Sequence, residues 1–219
     1  GLLTSNPIIT EDVGRVFNTL SGMTLNKAYR RLLVAPHGVR KGLLGQIEGE
    51  IEHARAGRPT GIRIKVNSIV DEAIVDGLYR ASQAGVPVDL LVRGICTVRP
   101  GVPGLSENIR VRSILGRFLE HSRLFWFAGG GTPHVGLGSA DMMHRNLDRR
   151  VEVLVQLPHE RHERRVRELF DLAFDEGTAS WWLDDTRWTM RTAAEDGTPL
   201  RDLQEHFINS LGARRAEVR

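Results

Sequence analysis

Apolar positions recur along this chain at two spacings, and the spacings place the elements. Ile62-Arg63-Ile64-Lys65-Val66 alternates as a strand does, and Val86 to Val92 is a second, almost wholly apolar strand. Between them Ser68 with Asp71 resembles a capping arrangement, Val70, Ile74, Leu78 and Ala81 follow at helical spacing, and Gly85 closes the helix. Upstream, Arg31 to Ala35 reads as a buried strand ending at Pro36-His37-Gly38. A helix face follows at Leu43, Leu44, Ile47 and Ile51, with its stop at Gly57-Arg58-Pro59. Earlier still, Thr10-Glu11-Asp12 offers an N-cap, and Val13, Phe17 and Leu20 mark a short helix that ends before Gly22. Strands separated by helices of this length form right-handed β-α-β crossovers. The three strands are therefore expected to lie parallel in one sheet.

The second half is less regular. Ile109 to Ile114 alternates with Arg110 and Arg112 on one face, and Arg117 to His121 reads as a short helix or turn. Arg123 to Phe127 and His134 to Gly138 flank Gly129-Gly130-Gly131-Thr132, a hairpin signal. Val151 to Gln156 is another strand. Pro158 opens a charged helix running to about Asp175, with Val166, Leu169, Phe170 and Ala173 inward and its arginines on a solvated face. Trp181, Trp182 and Trp188 pack a closing segment, and Arg201 to Arg219 reads as a C-terminal helix with a frayed basic end.

Composition narrows the function. At 219 residues, 41% hydrophobic and 26% charged, the chain can bury a full core and is one large domain or a domain with a tail. A formal charge of +3 is too small for a protein that coats nucleic acid, so local clusters matter more and a small or linear anion is the expected partner. Cys96 is the one cysteine, which excludes an internal disulfide framework and a four-cysteine zinc site and fits a reducing compartment. No apolar run reaches the ~18 residues of a membrane span, so no integral membrane segment is expected and the cytoplasm is the expected location. The start, Gly1, lacks the basic and apolar regions of a signal peptide, which suggests excision from a longer protein.

Candidate chemistry gathers at strand ends. In open parallel sheets ligands bind beyond the carboxyl ends of the strands, where His37, Asn67 and Arg93 fall. Any strand end meets a polar loop, so one such residue carries little and the three together carry more. Lys65 precedes the same end, and guanidinium and ammonium groups there suit phosphate oxygens.

His121-Ser122-Arg123, followed after a strand and a hairpin by Gly138-Ser139-Ala140-Asp141, resembles the H-x-K and G-S-x-N half-site of the phospholipase D superfamily. Arg123 stands where Lys is usual, Asp141 where Asn is usual and Ala128 where Asp is expected. A wider ordered set is more specific: Gly1-Leu2-Leu3-Thr4, Ile9-Thr10-Glu11-Asp12-Val13, Lys65-Val66-Asn67, Val92-Arg93-Gly94-Ile95-Cys96, Ser106-Glu107-Asn108-Ile109, Phe118-Leu119-Glu120-His121-Ser122-Arg123, Arg145-Asn146-Leu147-Asp148 and Arg150-Val151-Glu152. Together these resemble the C-terminal catalytic region of the bacterial polyphosphate kinase family.

The resemblance implies an α/β, phospholipase D-like fold with a mixed, largely parallel sheet flanked by helices. It divides the chain into a leading segment and helix over 1–25, a catalytic domain over 26–190 and a helical tail over 191–219. It implies reversible transfer of the γ-phosphate of ATP to polyphosphate, with this domain supplying half of the site. The family's phosphorylated histidine, in a His-Ile-Gly-Thr-Gly-Asn string, belongs to the preceding domain and is absent here, so the fragment alone is expected to be inactive. Arg93 and His121 carry over in context as ATP-contacting residues, Arg93 as an electrostatic clamp and His121 as proton donor or stabiliser. Lys65, Asn67, Arg123 and Arg150 are further candidates for the anion path. Expected partners are ATP or ADP, polyphosphate, the preceding domain and further copies of the full-length protein, with Mg²⁺ accompanying ATP and its ligands outside this chain. Two other readings stand beside this one: a non-catalytic anion-binding or assembly module, and a phospholipase D-like phosphodiesterase acting as a homodimer.

Overall fold

A computed structural model of the chain describes residues 1–23 and 28–217. Its centre is one mixed sheet formed by β1 (Leu32–Val34), β2 (Ile62–Val66), β3 (Val88–Val92), β4 (Ile109–Ser113), β5 (Arg123–Phe127), β6 (His134–Gly138), β7 (Val153–Gln156), β8 (Ser180–Asp184) and β9 (Arg187–Arg191). The strand order is β1-β7-β6-β5-β2-β3-β4-β8-β9. Five α-helices accompany it among the described residues: α1 (Pro7–Leu20), α2 (Val39–Arg55), α3 (Glu72–Gln83), α4 (Glu160–Ala173) and α5 (Leu203–Glu217).

The expected α/β class and mixed sheet are found, with the parallel part confined to β2-β3-β4 and every other pairing antiparallel. One neighbour relation differs from expectation. β1 does not lie beside β2 but forms the sheet edge, antiparallel to β7, with β7, β6 and β5 intervening. Periodicity states which face of a strand is buried and is silent about its neighbour. The place beside β2 goes to β5, whose Leu124-Phe125-Trp126-Phe127 pairs along almost the whole of β2, whereas β1 is only three residues long.

Helix α1 shows the same limit. Its N-cap is Asn6, whose side chain accepts from the Ile8 and Ile9 N–H groups at 3.0 and 3.3 Å, with Pro7 opening the first turn. Thr10, the expected cap, lies inside the helix. The face packed on Leu32 carries Ile9, Asp12 and Val16, while the expected stripe of Val13, Phe17 and Leu20 is exposed. Asp12 is buried because its Oδ2 accepts the Arg30 and Arg31 N–H groups at 2.8 and 2.7 Å, fixing the approach to β1.

Elsewhere the apolar pattern is obeyed, although the cap of α3 is Asp71 and not Ser68, and Val70 lies before the helix. Asp71 caps α3 through Ile74 N–H at 3.2 Å, and Ile74 and Leu78 of α3 join Leu43 and Ile47 of α2 in the main core against one sheet face. The two helices meet at Gly77, where a Cβ would come within 3.2 Å of Leu44 Cδ2. On the other face Val166, Phe170 and Ala173 of α4 close over Leu91, Leu124 and Val135. Residues 117–121 form no helix but an irregular segment, held from elsewhere as described below. The tryptophan-rich segment is the β8–β9 hairpin, which extends the sheet from β4. The expected boundary between residues 25 and 26 and the frayed end at 218–219 lie outside the described residues.

Candidate functional site

One edge of the sheet collects the candidates. β2, β3 and β6 end there, and the antiparallel β5 begins there. The turn after β6 is stitched to the segment after β2: Met142 N–H donates to Ser68 O at 3.0 Å, and Val70 and Asp71 N–H donate to Met142 O at 2.8 and 3.0 Å. This backbone seam carries the Asp141 carboxylate beneath Asn67.

Asp141 is the hub. Its Oδ1 accepts from Asn67 N–H at 2.7 Å and from Asn67 Nδ2 at 3.1 Å. Arg123 grips the same carboxylate in a fork, Nε to Oδ1 at 3.2 Å and Nη2 to Oδ2 at 2.9 Å. Burial by itself would raise the Asp141 carboxyl; the hydrogen bonds from Arg123 and Asn67 outweigh it and hold the group below its ordinary value. Two arms leave this hub. Asn67 Oδ1, turned away from Asp141 by its donating amide, accepts from Arg93 Nε at 2.9 Å. The backbone beneath Arg93 is pressed close, since a Cβ on Gly94 would sit 2.9 Å from Asn67 O. Arg123 Nη1 reaches His121, donating to its carbonyl at 2.9 Å and to Nδ1 at 3.0 Å.

That last contact selects the accepting nitrogen of the histidine. An arginine can only donate, so Nδ1 is the acceptor and the ring proton of His121 sits on Nε2. In that tautomer the ring leaves an N–H donor at Nε2.

Lys65 is almost wholly buried beside these arms, with Nζ 3.1 Å from Glu120 Oε2 and 3.4 Å from Ser122 O. Desolvation lowers its pKa, offset in part by Glu120 and reinforced by Arg93 and Arg123. Lys65 and Arg123 thus spend their donors on protein groups. Among the described residues none accepts from the terminal nitrogens of the half-buried Arg93, and none from the exposed His121 Nε2. Those are the atoms left for a ligand.

The structure does not bring every candidate here. Arg150 is exposed just before β7 and pairs with no described residue, and no contact links it to Asp141. His37 ends β1 at the sheet's far edge, four strands from β2. It lines an apolar cavity of about 540 Å³ with Leu20, Tyr29, Lys41 and Val151, whereas the cleft between Lys65, Arg93 and Glu120 measures about 10 Å³. The charged edge encloses little space of its own. Asp71, Glu72 and His144 bring ligand atoms within 4.8 Å of one another, and Arg40 pairs with Asp71 at 2.7 Å. The central role of Asp141 went unseen in the sequence. Its signal was there, since the one departure that adds a charge, Asp where Asn is usual, stands in the same half-site as the Arg123 that grips it.

Comparison with known proteins now decides the family. A model of the polyphosphate kinase C-terminal domain 2 matches residues 32–202. The chain belongs to the polyphosphate kinase family. It is 59% identical to polyphosphate kinase of Streptomyces coelicolor over 98% of its own length and 29% of that protein's, and 50% identical to that of Mycolicibacterium gilvum over the same shares. The domain thus spans less than a third of the curated relatives it matches. A solved polyphosphate kinase from Porphyromonas gingivalis superposes with a TM-score of 0.90 at 32% identity, over 98% of this chain and 33% of the other. Nuc of Salmonella typhimurium, a phospholipase D family member, matches 74% of this chain and 97% of its own at a TM-score of 0.50 and 15% identity, a likeness of fold. No helix among the described residues is long and apolar enough to cross a membrane.

Proposed function

We propose that this polyphosphate kinase domain supplies one half of a site in which the γ-phosphate of ATP passes reversibly to polyphosphate. The observation that carries the reading is that Arg93 and His121 are fixed by a buried Asp141 hub yet keep their outermost nitrogens unclaimed. Arg93 clamps phosphate oxygens, and the His121 Nε2–H donates to charge that grows on the transferring phosphoryl group. Asn67 and Arg123 hold those two in place, Lys65 and Arg123 add positive potential, and Arg150, which lies apart from this cluster, is a further contact for the polymer. The phosphorylated histidine comes from the preceding domain of the full-length protein, as does the other wall of the site, which fits the small cleft of about 10 Å³ that this chain forms alone. Residues 1–25 join the two domains, 26–190 form the catalytic unit and 191–219 a helical tail. Mg²⁺ enters with ATP, its ligands lying outside this chain, and the full-length enzyme works in the cytoplasm as a homo-oligomer.

Incubation with γ-labelled ATP tests the division of labour. Full-length enzyme carrying this domain is expected to retain acid-labile label and make polyphosphate, and residues 1–219 alone to do neither. Acid-labile label on the isolated chain would overturn the assignment.

A further inference from the structure

The family model that matches this chain ends at Asp202, and α5 begins one residue later. Asp202 starts that helix, its Oδ1 accepting from Glu205 N–H at 3.0 Å, and Leu203, buried, anchors it among the residues that close the α4 side of the sheet. The next residue, Gln204, is also almost wholly buried and faces the irregular segment that leads into β5.

Its amide embraces that segment. Gln204 Oε1 accepts from Phe118 N–H at 2.9 Å, and Nε2 donates to Phe118 O at 2.9 Å and to Glu120 Oε1 at 2.8 Å. The approach is close, since a Cβ on Gly116 would meet Gln204 Oε1 at 2.5 Å. The other carboxylate oxygen of Glu120 faces Lys65 Nζ at 3.1 Å. His121 follows Glu120 directly. Residues 115–122 have no regular backbone pairing of their own, and Leu115, Phe118 and Leu119 expose their side chains. Apolar burial therefore does little to fix the segment; the amide of Gln204 makes the two-sided backbone clasp a strand neighbour would otherwise make.

We propose that Gln204 is a positioning residue for the phosphate-binding edge, holding Glu120, and through it Lys65 and the turn of His121, in register with Asp141. Its functional meaning rests on the reading of His121 given above; its structural content does not. An amide is suited to the task because it both accepts from and donates to one peptide unit while giving a neutral donor to a carboxylate that must stay available to Lys65.

Hydrogen exchange and steady-state kinetics on full-length enzyme carrying this domain test it. Gln204→Ala should speed exchange of the Phe118 amide, from which Gln204 Oε1 accepts, about tenfold and lower turnover by about tenfold or more, with the KM for ATP changed less than twofold, as expected when a group is misplaced and the binding contact through Arg93 remains. Gln204→Glu, the same shape, keeps the acceptor for Phe118 N–H and loses both donors, so it should lower turnover in the same direction while exchange at Phe118 rises less than in Gln204→Ala. This second variant decides the matter should the alanine variant lose its fold. Unchanged exchange at Phe118 in folded Gln204→Ala, or unchanged turnover in folded Gln204→Glu, overturns the proposal. If His121→Ala leaves turnover intact while exchange at Phe118 still responds to Gln204→Ala, the functional reading fails and the positioning stands.

Discussion

Two clusters in this domain are built from the same ingredients, an arginine gripping an aspartate beside a histidine, and they do opposite things. In the cluster on α2, α3 and the π turn Arg145–Arg149, Arg40 spans Asp71 and Asp148 at 2.7 and 2.5 Å. His144 there is engaged at both ring nitrogens, by Asp148 at 3.0 Å and Glu72 at 2.6 Å. Three carboxylates face two cationic groups and nothing remains to receive an anion. In the strand-end cluster Asp141 is buried under Arg123 and Asn67, and the arms it holds end in unclaimed nitrogens on Arg93 and His121. The lesson is that composition alone does not leave a cation free. What does so here is a buried acceptor that engages the inner donors and leaves the outer nitrogens unclaimed, the feature on which the proposed phosphate site rests.

Breaking the hub should have the largest effect. Asp141→Ala leaves Arg123 nearly buried without its partner, and removal of one member of a buried pair costs about 3–5 kcal/mol; chemical denaturation of the chain checks this, and activity in the full-length enzyme should fall with it. Because the Asp141 pKa is depressed in the folded state, its contribution is present above the ordinary carboxyl range and is lost as pH falls through the folded value. A destabilisation that stays constant down to pH 2 would contradict this assignment.

His121→Ala should leave stability nearly unchanged and, in full-length enzyme, lower turnover by about 10²–10³-fold, the usual loss for one donor to developing charge. His121→Gln, which keeps a donor without a titrating ring, should recover much of that loss. Recovery by glutamine separates hydrogen-bond donation from proton transfer, because proton transfer would not be restored.

Arg93→Ala removes a charge-assisted contact worth about 1.5–3 kcal/mol, so ATP affinity and turnover should both drop while the fold is kept. Isothermal titration with a non-hydrolysable ATP analogue reads the first and steady-state assay the second. An effect on turnover alone would mean that Arg93 meets only the transition state.

The smallest effect belongs to the closed cluster. Asp148 and Glu72 raise the pKa of His144 above its ordinary 6.5. The histidine's contribution to stability is therefore full below about pH 6.5 and fades as pH rises through the raised folded value. His144→Gln should unfold slightly more easily than the parent chain at pH 6 and no more easily at pH 9, with no change in ATP binding by the full-length enzyme at either pH.

Much of this was legible in the residues. Alternation at Ile62–Val66, the helical spacing of Ile74, Leu78 and Ala81, and the apolar run ending at Val92 located β2, α3 and β3 and put Asn67 and Arg93 at neighbouring strand ends, because side-chain burial imposes those periods directly on the chain. The ordered motifs around Arg93 and His121 pointed to the family that the comparisons support. Tertiary structure decided the rest. That Ile9, Asp12 and Val16 rather than Val13, Phe17 and Leu20 turn inward depends on where β1 lies, and β1 lies at the far edge because the β5–β6 hairpin takes the place beside β2. The grip of Arg123 on Asp141 spans 18 residues, and that of Gln204 on the segment before β5 spans 86. A side-chain hydrogen bond leaves no period along the chain, so these contacts exist only once the sheet has brought both partners to one edge.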